Sequence, residues 1–368
     1  MCGCLVDIFR DIPDPRSGNA IKHMLDEILA IAILAILCDC TKFTEMELFG
    51  QEREEWLRTF LTLENGIPSH DTFGDVFAAL SPEAIQERFI SWVETIRKKV
   101  SGDIVPIDGK TIRGSKDLAN NKRAIHIISA WSTANGIVLG ELATDEKSNE
   151  ITAIPELLKM LELKGCIVTI DAMGTQTAIA GAIIEGGADY VLAVKENQPL
   201  LMQDIELYFT TEIATCDYAK TSEKSHGRYE TRECWSSTDI DWLYNKVNWA
   251  GITGIGMIRS KRQQVGSEVV ETSTKYFIFS KDMSAMELLS ANRAHWAIEN
   301  SLHWVLDISF REDESRMRAG NCATNMTVFR HLALNLIKSE KSTKLSVNMK
   351  RKRCMLSLDY LLKVIGVE

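Results

Sequence analysis

Clustered cysteine, long apolar runs and net positive charge are what this sequence lacks. Its nine cysteines are scattered, and the two C-x-C pairs, Cys2/Cys4 and Cys38/Cys40, do not have the paired C-x-x-C spacing of a zinc module. They read as reduced thiols of a cytoplasmic protein. The most apolar stretch, ILAIAILAILC at 28–38, follows Asp26 and Glu27. It is too short to span a bilayer and lies too far from Met1 to be a signal peptide, so it predicts a buried helix and no membrane partner. The balance of 42 Lys and Arg against 51 Asp and Glu gives −9. That excludes the overall basicity by which many proteins neutralise phosphates.

What is present is an ordinary globular composition, 45% hydrophobic and 25% charged. At 368 residues the chain is long enough for two units, or for one core with a large insertion. Charge is uneven along it. Residues 110–123 hold Lys110, Arg113, Lys116, Lys122 and Arg123 against Asp117, a local charge of +4. Residues 338–353 hold seven basic residues against Glu340, a local charge of +6. Either run can be a solvated face or a phosphate footprint, and its position in the fold decides which.

Residues 1–100 carry helical periodicity through 24–37, 45–63 and 83–97, with breaks at DIPDPR (11–16) and NGIPSHD (65–71). Ser69-His70-Asp71 is no catalytic triad, because adjacent residues do not converge; it predicts a helix N-cap by Ser69 or Asp71. From 104 the pattern changes to three strands, IVPID, AIHIISAW and GIVLGEL, the last two joined across a turn at Asn135-Gly136. A helix at about 150–162, the strand CIVTIDA (166–172), a helix at about 175–186, the strand DYVLAVK (189–195) and a helix from Pro199 follow. The order βββαβαβα is that of a ribonuclease-H-like core. A β-rich insertion occupies about 210–282, before a long helix that contains WAIENSLHWVLDISFREDESR (296–316).

Two apolar strands run into aspartate, VPID at Asp108 and VTID at Asp171. Strand ends at the sheet's edge are where α/β folds place ligands and catalysis. A third carboxylate would complete a site for two Mg²⁺ ions, which prefer hard oxygen ligands and can clamp the attacking and leaving oxygens of a phosphoryl displacement. Glu299 is the leading candidate, followed by Asp307, Glu312 and Asp313. His295, Glu299, His303 and Asp307 recur every four residues, a stripe that drifts by about 40° per step on a regular α-helix. On the same helix Trp296, Leu302, Val305 and Leu306 are expected toward the core or its flanks, with Trp296 and Trp304 packing rather than stacking on bases. The REDES charges are expected to mark a solvated helix exit. Zinc held by His295 and His303 is disfavoured, because zinc-binding histidines of one helix sit four residues apart, not eight.

PIDGKTIRGS, IDAMGTQ, AVKENQP, SHGRYETRECW and HWAIENSLHWVLDISFRED, in this order and in these fold positions, resemble the DDE transposases of ISAs-type insertion sequences. The likeness is nearest to the H-repeat-associated proteins linked to Rhs elements, and with DIPDPR and NGIPSHDTFGDVF it spans nearly the whole chain. The resemblance implies that Asp108, Asp171 and Glu299, separated by 63 and 128 residues, are the catalytic metal ligands for Mg²⁺ or Mn²⁺, two ions in all. One departure stands out. A Tyr-Arg-Glu-Lys signature in related transposases has its Tyr, Arg and Lys where this chain has Asn292, His295 and Leu306, with Arg293 nearby.

The resemblance further implies a DNA transposase that binds terminal inverted repeats, hydrolyses a phosphodiester and transfers the freed strand. Lys110, Arg113, Lys116 and Lys195 beside the strand ends are candidate phosphate contacts, as are His226, Arg228 and Arg232 in the insertion and Arg293 and His295 on the last helix. The expected units are a helical DNA-end-binding and assembly region at 1–100, the catalytic domain at 101–340, and a basic tail with a short helix at 341–368. The expected partner is double-stranded DNA, held by a homodimer in the bacterial cytoplasm, at the nucleoid when acting. A non-catalytic DNA-binding remnant and a simple metal-dependent nuclease are the alternatives.

Overall fold

The computed structural model describes residues 8–18, 21–117, 120–144, 150–225 and 227–367, so Cys2, Cys4 and His226 lie outside the described residues. The longer helices described before the first strand are α1 (Leu25–Leu37), α2 (Phe43–Glu52), α3 (His70–Ala79) and α4 (Pro82–Ile96). The apolar stretch lies in α1, where residues 28–37 are sealed from solvent on every side. A helix that is hydrophobic all round has no solvent face and can only be an interior element. Among the described residues no helix is long and apolar enough to cross a membrane. Ser69 caps α3, its side chain accepting from the Thr72 N–H, as the Ser-His-Asp triplet predicts.

The strands and helices that follow are β1 (Ile104–Thr111), β2 (His126–Ser132), β3 (Ile137–Thr144), α5 (Glu150–Met160), β4 (Ile167–Ile170), α6 (Thr177–Glu185), β5 (Asp189–Val194) and α7 (Pro199–Thr211). Strands β1, β2 and β3 pair antiparallel, while β4 and β5 join β1 in parallel through their helical crossovers. The resulting order, β3-β2-β1-β4-β5, is the ribonuclease-H-like core. The insertion supplies β6 (Asp217–Ser225), β7 (Arg228–Ser237), β8 (Gly254–Gln264) and β9 (Val270–Phe279). It is no separate body: β9 pairs antiparallel with β5, so the core sheet runs on without a break into nine strands. Pairing of Val191–Val194 with Tyr276–Phe279 covers the edge that β5 would otherwise expose.

After the sheet come α8 (Ala285–Ile298), a π-helical turn (Glu299–His303), α9 (Trp304–Phe310), α10 (Cys322–Ser339), α11 (Val347–Leu356) and α12 (Leu358–Val364). Helix α10 ties the two halves together with buried amides. Asn325 Nδ2 donates to the Phe77 and Leu80 carbonyls at 2.8 and 3.0 Å, satisfying the end of α3. Asn335 meets edge strand β3 as another strand would: its Oδ1 accepts from the Val138 N–H and its Nδ2 donates to the Val138 carbonyl, both at 2.8 Å. Asn335→Ala should therefore orphan two buried backbone groups and cost about 2 kcal/mol or more, read as a lowered urea midpoint with unchanged slope. An unaltered midpoint would show that water replaces the amide there.

Candidate active site

The β1–β4 register runs from Ile104↔Ile167 to Ile107↔Ile170, and there β4 stops. The next residues are Asp108 and Asp171, so the two carboxylates emerge side by side at the open end of the parallel pair. Asp108 itself does not end its strand, contrary to the sequence expectation. Strand β1 continues to Thr111 because β2 keeps pairing with it, Asp108 opposite Ser129. Alternation along a strand settles which way both acids point. Val105, Ile107, Val168 and Ile170 pack into the larger core on one face. Ile104 and Ile167 pack on the other, against α8, and Asp108 and Asp171 share their phase.

Helix α8 crosses that second face on Leu288, Leu289 and Ala291, packed with Val191, Ile258 and Phe277, and so delivers Glu299 to the two aspartates. It does not continue as a regular helix. The Trp304 N–H bonds to the Glu299 carbonyl, an i→i+5 bond that widens the turn. One ligand atom from each of Asp108, Glu299 and His303 falls within 4.8 Å of the others. His303 Nδ1 stands 3.6 Å from Asp108 Oδ2. Asp171 lies outside that group but lines the same cleft, and its Oδ1 accepts from the Met173 and Gly174 N–H groups, which orients the carboxylate. Upstream, His295 Nδ1 sits 3.1 Å from Thr169 Oγ1.

Electrostatics mark these acids as wanting a cation. Burial, opposed by the Gly109 N–H but reinforced by the charges of Asp171 and Glu299, pushes the Asp108 carboxyl up to about 7. Burial and nearby Lys110 hold the His303 imidazole down at about 3, so it presents a neutral ring with a lone pair. Hard carboxylate oxygens plus one neutral imidazole fit a divalent metal ion. Asp108, Asp171 and Glu299 line a cleft of about 470 Å³, to which Lys195, Lys275, His295 and Trp296 also contribute.

The other basic candidates fall into two groups. Lys110 is committed inward: it is half-buried, with Nζ 2.5 Å from Asp307 and 2.7 Å from Glu312. Arg232 is held between Glu223 and Glu230, each at 2.7 Å, and Arg293 reaches Glu223 at 3.2 Å. Exposed are Lys116, Lys195 and Arg228, together with Arg113, which stands 3.5 Å from Asp313. The REDES segment is a solvated exit only in part: Arg311 and Glu314 are exposed, but Glu312 is buried. Left-handed Arg311 (φ 50°) ends the helix and turns the chain back, burying Glu312 against Lys110, with Arg330 at 3.7 Å. Nor do the tryptophans pack inside: Trp296 and Trp304 are 49% and 58% exposed. Each follows an inward histidine by one residue, about 100° around the helix, and Trp296 carries Lys275 Nζ 4.2 Å from its ring centroid. Sequence reasoning missed His303 and Lys275 as site residues. The four-residue step from Glu299 was the signal for His303; Lys275 had none.

A family model described as "Transposase DDE domain" matches residues 100–336, and one described as "DDE_Tnp_1-associated" matches residues 6–93. The chain belongs to the DDE transposase family. It is 42% identical over 367 residues to "Putative transposase YncI" of Escherichia coli O157:H7, covering 98% of this chain and 94% of that one. It is 38% identical over 361 residues to "H repeat-associated putative transposase YhhI" of Escherichia coli strain K12, covering 96% of each. A piggyBac transposase synaptic complex with hairpin DNA aligns at 11% identity and a TM-score of 0.44, over 99% of this chain and 78% of that one.

In this DDE transposase chain the residue after Asp108 must be glycine. A Cβ on Gly109 would collide with the His126 ring and the Glu150 carboxylate, which form a buried pair 2.6 Å apart. Gly109→Ala is expected to cost about 1–3 kcal/mol by overpacking and to displace Asp108. A melting temperature within one degree of the unsubstituted protein would refute this.

Proposed function

We propose that this chain is a transposase that binds double-stranded DNA at the terminal inverted repeats of its element. In this reading it hydrolyses a phosphodiester to free a 3′-hydroxyl and joins that strand to target DNA. The observation that carries it is the convergence of Asp108, Asp171 and Glu299 on one cleft in a chain of this family. These three would hold two Mg²⁺ or Mn²⁺ ions, which when bound supply Lewis acidity at the attacking and leaving oxygens.

The chain's own groups position the DNA. Lys195 and Lys275 rim the cleft and receive the scissile phosphate, while Arg113, Lys116 and Arg228 contact the backbone farther out, setting register without reading sequence. His295, with its ring neutral because burial holds it at about 4, lines the floor of the cleft as a hydrogen-bonding group. Lys110 and Arg232 have their charge met by protein carboxylates and serve the scaffold instead. Residues 1–100 bind the DNA end and support assembly, 101–340 carry out catalysis with the insertion at about 210–282, and 341–368 close the chain. A homodimer bridging two ends acts at the nucleoid.

The test uses purified full-length protein, linear DNA carrying the element ends, a supercoiled target and either metal. Cleavage at the ends followed by strand joining is expected. Cleavage without joining would make the protein a nuclease, and end binding without cleavage under both metals would make it a non-catalytic remnant.

A further inference from the structure

His303 is a buried histidine whose surroundings leave it unsatisfied. It is 8% exposed, its Nε2 has no hydrogen-bond partner, and its Nδ1 faces Asp108 at 3.6 Å, beyond hydrogen-bond length. Buried His126, by contrast, engages both ring nitrogens, Nδ1 with Thr111 Oγ1 at 2.9 Å and Nε2 with Glu150 Oε1 at 2.6 Å. Buried polar groups are nearly always paired, so the exception calls for a reason.

The helix is distorted at this point. Residues four apart on a regular α-helix drift by about 40°. The wider i→i+5 turn from Glu299 to His303 takes up that drift, so both side chains stand over Asp108. Such π turns are rare and are frequently found at functional sites.

We propose that His303 is a ligand of the divalent ion held by Asp108 and Glu299, and that its nitrogen makes the site prefer Mn²⁺ to Mg²⁺. The inference rests on the metal-dependent reading above. Mg²⁺ takes oxygen ligands and keeps its water, whereas an imidazole nitrogen adds affinity for first-row transition ions, so one histidine among carboxylates shifts selectivity between two ions that carboxylates alone hardly distinguish.

Pulsed electron paramagnetic resonance of full-length protein with Mn²⁺ alone tests it. Nitrogen-14 modulation from a bound imidazole is expected in the unsubstituted protein, retained in His295→Gln and lost in His303→Gln. Mn²⁺ affinity should fall at least about 10-fold in His303→Gln, a loss seen even when only a ligand's outer partner is removed, with Mg²⁺ affinity, read by competition, falling less. Mn²⁺ that is lost in Asp108→Asn and Glu299→Gln yet shows no nitrogen modulation in the unsubstituted protein would overturn the histidine ligand and leave the carboxylate site standing. Mn²⁺ binding that ignores both carboxylate substitutions, or no binding, would overturn both. The decisive measurement uses the unsubstituted protein, so it does not depend on a variant folding.

Discussion

Glu299→Ala or Asp171→Ala should lower end cleavage by about 10³-fold or more, and Glu299→Ala should leave the fold at least as stable. The two effects have one cause. At a cleft where burial and neighbouring carboxylates push Asp108 up to about 7, the acids oppose one another unless a cation intervenes. Deleting one relieves that repulsion in the metal-free protein and removes a cation ligand from the active one. Thermal melts should separate these consequences. In chelator Glu299→Ala melts at or above the unsubstituted protein, while Asp171→Ala gives back part of that gain with the bonds from the Met173 and Gly174 N–H groups. With Mn²⁺ at about 100 times its dissociation constant, the unsubstituted protein gains about 2.7 kcal/mol and the variants gain much less. Cleavage within ten-fold of normal in either variant would sink the assignment. The same substitution at Glu312 should behave oppositely, destabilising the protein because Lys110 and Arg330 would lose their buried counter-charge.

Arg351→Ala should unfold the protein more readily than any surface charge deletion, by about 3–5 kcal/mol. Arg351 is fully buried. Its Nε and Nη2 donate to the Ile36 carbonyl at 3.1 and 2.7 Å, its Nη1 donates to the Ser309 carbonyl and pairs with Asp39 at 2.9 Å, and its guanidinium lies over the Phe310 ring at 4.2 Å. One side chain thus closes the last turn of α1, the end of α9 and helix α11 into a single unit. Truncation would leave the Ser309 carbonyl without this donor, the Ile36 carbonyl with only the Asp39 N–H, and Asp39 without its cation. Urea denaturation should show the loss. Arg351→Lys should recover little of it, since an ammonium cannot reproduce the planar fork. An Arg351→Ala midpoint close to normal would mean that the N-terminal helices dock without this clasp.

That result bears on the two basic runs, which look alike in sequence. In the run at 338–353, Lys350 and Arg351 are buried, and Lys350 donates to the Ile337 carbonyl at 3.1 Å; both charges hold helix ends together. In the run at 110–123, Lys110 is half-buried against Asp307 and Glu312, while Arg113 and Lys116 are exposed. Composition could not separate a clasp from an exposed face. Burial of a lysine depends on whether an acid from far along the chain arrives beside it.

Local pattern by itself determined much of this protein. Period-two alternation and turn residues located the strands, helical spacing located the helices, and the βββαβαβα order implied the sheet that placed Asp108 next to Asp171. Those signals are legible because they depend on neighbours a few residues apart. Tertiary structure decided the rest. Lys110 meets Asp307 and Glu312 across 197 and 202 residues, and Arg351 meets Ile36 across 315. The π turn that swings His303 onto Asp108, the exposure of Trp296 and Trp304, and the burial of Glu312 follow from how the last helices fit against the finished sheet. Chain periodicity sets which way a side chain points from its own element. What it meets there is set by packing between segments whose separation in sequence carries no local trace.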